Sequence, residues 1–81
     1  MNLNDTRKLI AKLVGEAVTA KGRTAPQMTD DTLLLGGPLE IDSLDLATIV
    51  VNLTDTTQKD PFADGFVEFR TIGELARLYA A

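Results

Sequence analysis

Apolar residues recur along this chain at helical spacing in three places, and between the first two lies a long stretch where the pattern lapses. From Leu3 to about Thr19, the residues Leu3, Ile10, Leu13, Val14 and Ala17 fall near one stripe, as on a helix with one buried face. Asn2 or Asn4 suits its cap, Asp5 suits the positive end of the helix dipole, and Gly22 lies just beyond its end. From Asp42 or Ser43 to about Thr56, the residues Leu46, Ile49, Val50 and Leu53 repeat at i, i+3, i+4 and i+7. The β-branched run Ile49-Val50-Val51 also suits a strand, but the helical period and the good caps at Asp42 and Ser43 decide for a helix. Thr71-Ile72-Gly73-Glu74 fits a capping box that opens a last helix running to the C-terminus, with Ile72, Leu75, Ala76 and Tyr79 on its inner face.

Residues 20–42 carry Gly22, Pro26, Gly36, Gly37 and Pro38, which is turn chemistry. So long a segment without its own periodicity must be anchored or functional, and Leu33, Leu35, Leu39 and Ile41 are the expected anchors. Asp60-Pro61-Phe62 reads as a short helix start, an Asp cap with Pro at the first position, stopped by Gly65. The expectation is a single domain over residues 1–81, all-α, a four-helix up-and-down bundle with a long first loop and a short third helix. Its predicted core is Leu3, Ile10, Leu13, Val14, Leu35, Ile49, Val50, Leu53, Phe66, Ile72, Leu75 and Tyr79.

Composition narrows the chemistry. With 81 residues there is little room for a deep catalytic cavity beside a core. The chain has no cysteine and no histidine, which excludes disulfides, thiolate nucleophiles, cysteine zinc sites, the usual triads and the commonest general base. An enzyme in its own right is disfavoured on these grounds, although a small hydrolase or transferase built from Asp, Glu, Lys, Ser and Thr stays open. The net charge is −4, and no basic face suits a nucleic-acid backbone. All of that charge sits in residues 41–81, and no Lys or Arg occurs between Ile41 and Gln58, so this segment should attract basic partner surfaces. No apolar run approaches the ~20 residues of a membrane span. The opening Met-Asn-Leu-Asn-Asp-Thr-Arg-Lys has no long apolar stretch, so no signal peptide is expected and a cytoplasmic location is.

The candidate site lies where the long loop meets the second helix, at Ile41-Asp42-Ser43-Leu44-Asp45. A serine hydroxyl at a helix N-terminus meets backbone N–H groups and a dipole that favour an anion. Taken alone, Asp-Ser before an apolar helix reads as an N-cap, and losing a Ser43 cap would cost about 1 kcal/mol.

In context, the chain resembles the acyl carrier proteins, including the related peptidyl carriers. The resemblance runs over nearly the whole length and is carried by Asp30-Asp31-Thr32-Leu33-Leu34, by Ile41-Asp42-Ser43-Leu44-Asp45-Leu46 and by Phe69-Arg70-Thr71-Ile72-Gly73-Glu74-Leu75. It implies that Ser43 receives 4′-phosphopantetheine from coenzyme A, through a separate phosphopantetheinyl transferase acting with magnesium. It implies too that acyl groups ride as thioesters on the arm's thiol, while loading and downstream biosynthetic enzymes do the chemistry. Asp42, Leu44, Asp45, Ala47, Val51 and Asp55 become the expected partner-recognition residues, with extra core packing as the plainer reading of Leu44, Ala47 and Val51. No metal site of its own is implied, and a monomer suits an arm that visits several enzymes.

Three departures point to a specialised pathway rather than the housekeeping fatty-acid synthase. Thr48, Thr54 and Asp55 stand where fatty-acid carriers are rich in glutamate; Gln58-Lys59-Asp60-Pro61-Phe62 replaces the usual acidic stretch; and Gly36-Gly37-Pro38 precedes the motif. An aminoacyl or peptidyl carrier, and an unmodified helical interaction module, are the alternatives.

Overall fold

The computed structural model describes residues 2–80. Among them are three helices, α1 (Leu3–Ala20), α2 (Ser43–Thr57) and α3 (Ile72–Tyr79). All three periodic segments therefore fold as the hydrophobic pattern predicts. Asn2 is the cap of α1, its side chain accepting the Asp5 N–H at 2.8 Å.

The expected four-helix bundle is not formed, because the short third helix is absent among the described residues. Asp60 does take its predicted place, accepting the Phe62 N–H on its carboxylate at 3.2 Å. Two tight turns then replace the helix, with Ala63 N–H donating to Asp60 C=O and Gly65 N–H to Phe62 C=O. Gly65 adopts φ 133, a conformation no other residue type reaches at low cost, and the chain leaves the helical path. A start signal without apolar periodicity behind it yields turns rather than a helix.

The core is formed by Ile10, Val14 and Val18 of α1, Ile49 and Leu53 of α2, Ile72, Leu75, Ala76 and Tyr79 of α3, and Leu34, Leu39 and Ile41 of the long loop. Two predicted core residues are misplaced: Leu35 is exposed, and Phe66 is 79% exposed. Leu33, expected as an anchor, is exposed as well, and Leu34 is buried in its stead. The cause is local extended backbone. Leu33 forms an isolated antiparallel bridge with Thr71. Side chains alternate along such a segment, so Leu34 turns inward and its neighbours turn outward.

That bridge belongs to a short pairing that ties the loop to the entry of α3. Leu34 N–H donates to Arg70 C=O at 2.9 Å, Ile72 N–H to Thr32 C=O at 3.0 Å, and Gly73 N–H to Asp30 C=O at 2.9 Å. From the other side, Arg7 of α1 grips Asp30 with two parallel bonds of 2.9 and 2.7 Å. Gly73 is required by the closeness of this contact. A Cβ there would lie 2.7 Å from Asp30 Cβ and 2.9 Å from its carbonyl oxygen.

Gly73→Ala is expected to destabilise the fold by about 1–3 kcal/mol, the usual range for overpacking. This reverses the ~1 kcal/mol that alanine otherwise gains over glycine inside a helix. Urea unfolding of the two proteins measures the difference, and a variant as stable as the parent would mean that the Asp30 backbone yields.

Candidate functional site

The start of α2 is closed by a complete capping box. The Asp42 carboxylate accepts the Asp45 N–H at 2.9 Å, and the Asp45 carboxylate accepts the Asp42 N–H at 3.1 Å. The cap is therefore Asp42, and Ser43 is the first helical residue. Ser43 is exposed, and its hydroxyl makes no hydrogen bond among the described residues. Because Asp42 carries the capping role, the ~1 kcal/mol expected from a Ser43 cap does not apply. The Asp45 N–H is used by the box, and the Leu46 N–H reaches Asp42 C=O at 3.1 Å. The N–H groups of Ser43 and Leu44 belong to the first turn, which has no carbonyl partners within the helix.

Two carboxylates within one turn of Ser43 repel each other, and a lysine offsets them. Lys21, just past the end of α1, places its ammonium 2.7 Å from Asp45 and 3.7 Å from Asp42. The hydrogen bond from Lys21, with the Asp42 backbone N–H behind it, holds the Asp45 carboxyl below the ordinary carboxylate range. The same bond holds Lys21 above its ordinary value, outweighing desolvation, with the charge of Asp42 adding to it.

On the other flank of Ser43, α2 faces an aromatic cluster. Phe62 and Phe66 stack with ring centroids 5.7 Å apart and planes 14° from parallel. Phe69 lies 5.7 Å from Phe62 and 6.2 Å from Phe66, tilted to both. Phe62 also meets Tyr79 edge-on at 6.3 Å. Between these rings and α2 runs a groove of about 250 Å³, lined by Ser43, Leu46, Ala47, Val50, Phe62, Phe66 and Phe69. Serine is the one polar residue on that wall among the described residues. Ser43, Leu46, Ala47 and Val50 stand at i, i+3, i+4 and i+7, so the groove follows a single stripe of α2.

The remaining expected site residues divide by face. Leu44 (78% exposed) and Val51 (66%) point outward on the stripe that also carries the exposed Asp55. Neither is core packing, so that plainer reading fails for both. Ala47 lines the groove instead of sharing that ridge. Asp45 faces α1 with Lys21, in a separate hollow of about 310 Å³. Asp42 and Asp55 lie at opposite ends of the helix, so the acidic residues form no single cluster.

The groove-lining phenylalanines are a part of the site that the sequence reading misses. A signal exists: all three phenylalanines of the chain fall between residues 62 and 69, in a segment without helical periodicity. Lys21 has no such signal, because only the fold brings it to Asp45.

No family model matches the chain, nor does any curated protein or solved structure. No helix among the described residues is long and apolar enough to cross a membrane.

The Lys21 bridge makes stability depend on pH in a stated direction. Asp45 has a lowered value in the folded state, so its contribution is complete above the ordinary carboxylate range and fades as pH falls through the folded value. Lys21 has a raised value, so its contribution holds below its ordinary value and is lost as pH rises through the folded one. Wild type should therefore melt above Lys21→Met at neutral pH, with the gap closing below about pH 4. Melting curves taken from pH 7 to pH 3 check this, and a constant gap would assign the effect of Lys21 to packing of its stem.

Proposed function

We propose that the chain is an acyl carrier, with Ser43 as the attachment residue for 4′-phosphopantetheine. The observation that carries this reading is the free hydroxyl of Ser43. Asp42 supplies the cap, so the fold makes no demand on a serine at the next position. The residue is nonetheless exposed, at the positive end of a helix, with an apolar groove starting at its side.

The surroundings suit the group. Ser43 would hold the phosphate, and the Ser43 and Leu44 N–H groups would face its charge. Lys21 keeps the two neighbouring carboxylates from repelling it at full strength. When bound, the arm supplies a thiol, the thioester-forming group that a chain without cysteine lacks. Attachment forms one Oγ–P bond, breaks one P–O bond of the coenzyme A pyrophosphate and releases adenosine bisphosphate. The hydroxyl proton must leave to a base on the transferase, since no titratable side chain among the described residues hydrogen-bonds Ser43.

Leu44 and Val51 support the partner side of this reading. Two large apolar side chains held in water on one stripe of α2, beside Asp55, suit an apolar partner surface with a basic rim. The same ridge favours a second reading, an unmodified helical interaction module. The departures from the fatty-acid carriers keep the reading at a specialised pathway.

Intact mass before and after incubation with a broad-specificity phosphopantetheinyl transferase, coenzyme A and magnesium separates the two. The carrier gains one phosphopantetheine, mapped to the Ser43 peptide. Ser43→Ala abolishes the gain and shifts stability by no more than about 0.5 kcal/mol, as for a surface substitution without a structural role. Loading that persists in Ser43→Ala, or no loading of a folded protein beside a control carrier that loads, would sink the reading.

A further inference from the structure

The groove beside Ser43 also restricts what the arm carries. We propose that it receives a compact apolar acyl group bearing an aromatic ring, tethered through Ser43; this rests on the carrier reading above.

Three observations support that cargo. First, chemistry: apart from Ser43, the lining is entirely aliphatic or phenyl. An aminoacyl group would bring an ammonium to a wall with no carboxylate, and exposed phenyl faces hold a cation only weakly. Second, size: about 250 Å³ is slightly below the roughly 300–1,000 Å³ of drug-sized pockets, room for one ring and a short linker. Past Val50 and Phe62 the neighbouring hollow is bordered by Asn52, Thr54, Asp55 and Asp60, so a longer chain would leave the apolar wall. Third, shape: the three phenyl rings already pack at centroid distances of 5.7–6.2 Å, the spacing at which aromatic pairs attract beyond their buried area. Phe66 is left 79% exposed at the rim, an apolar face that a fourth ring would cover.

The test loads the full chain directly from acyl coenzymes A with the same transferase. Attachment breaks and forms the same bonds as above and leaves the thioester intact. The acyl groups are acetyl, hexanoyl, β-alanyl and phenylacetyl, each product confirmed by intact mass before melting. The phenylacetyl form is expected to melt about 4 °C or more above the acetyl and β-alanyl forms, a shift readily resolved for a domain this small, with the hexanoyl form between. Its ring resonances should perturb those of Phe62, Phe66 and Phe69. In Phe66→Ala, a substitution at an exposed position, the phenylacetyl increment should fall by half or more. Equal melting of the phenylacetyl and hexanoyl forms, or an increment that survives Phe66→Ala, overturns the proposal. Should no coenzyme A derivative load, the carrier reading falls separately and the groove is probed with untethered S-phenylacetyl-pantetheine by NMR. Shifts at the three phenylalanines at millimolar probe then support the aromatic preference of the groove, and their absence overturns it.

Discussion

The structure depends on the closure of the long loop onto the entry of α3. Three backbone hydrogen bonds join residues 30–34 to residues 70–73, and Arg7 grips the same Asp30 whose carbonyl receives Gly73. Every helix is tied to this point: α1 through Arg7, α3 through its first turn, and α2 because the loop that leads into it is pinned here. Three helices of this size give too few interlocking surfaces to fix a segment of some twenty residues by packing alone. Backbone pairing supplies what packing lacks, with Leu34, Leu39 and Ile41 following it into the core. The close contact at Gly73 is the steric condition for that closure.

With the loop pinned, α2 begins at a fixed place, and its residues divide into stripes with different tasks. Ile49 and Leu53 are buried. Ser43, Leu46, Ala47 and Val50 form the groove wall, and Leu44 and Val51 stand in water. This division explains why the apolar count of α2 exceeds what its core contact needs. The helix is apolar on more than one side because it lines a groove and presents a ridge as well as a core face. Ala47 sits between groove and ridge, and its small side chain leaves the groove open where a larger residue would fill it.

Much of this is legible in the sequence, and the failures have identifiable causes. The three helices follow from periodicity, since each has a long enough apolar stripe to reveal its phase. The loop anchors are harder. Leu33-Leu34-Leu35 is apolar at every position, so its alternation has no visible phase until the bridge between Leu33 and Thr71 sets one. The Asp60-Pro61 signal does turn the chain towards helical geometry, but a start does not supply propagation, and Gly65 ends it. Phe66 enters the predicted core on hydrophobicity alone, which is a one-way rule. At the site, Ser43 is legible from its motif, whereas Lys21 depends on where the end of α1 arrives in space.

Asp42 and Asp45 set the local problem at the start of α2. Two carboxylates in the first turn favour the helix dipole and close the capping box, yet together they oppose any further negative charge beside Ser43. A neutral capping pair would satisfy the same N–H groups without that opposition. The acidic pair therefore makes sense where negative potential around the serine has its own use, and Lys21 moderates it by holding one carboxylate tightly and the other at longer range. The pair keeps the approach to Ser43 acidic on the side where Lys21 stands, while the groove wall opposite carries no charged side chain. Electrostatics and apolar surface are thus separated across the width of one helix: the ion-paired side chains lie on one flank of the hydroxyl and the apolar groove on the other.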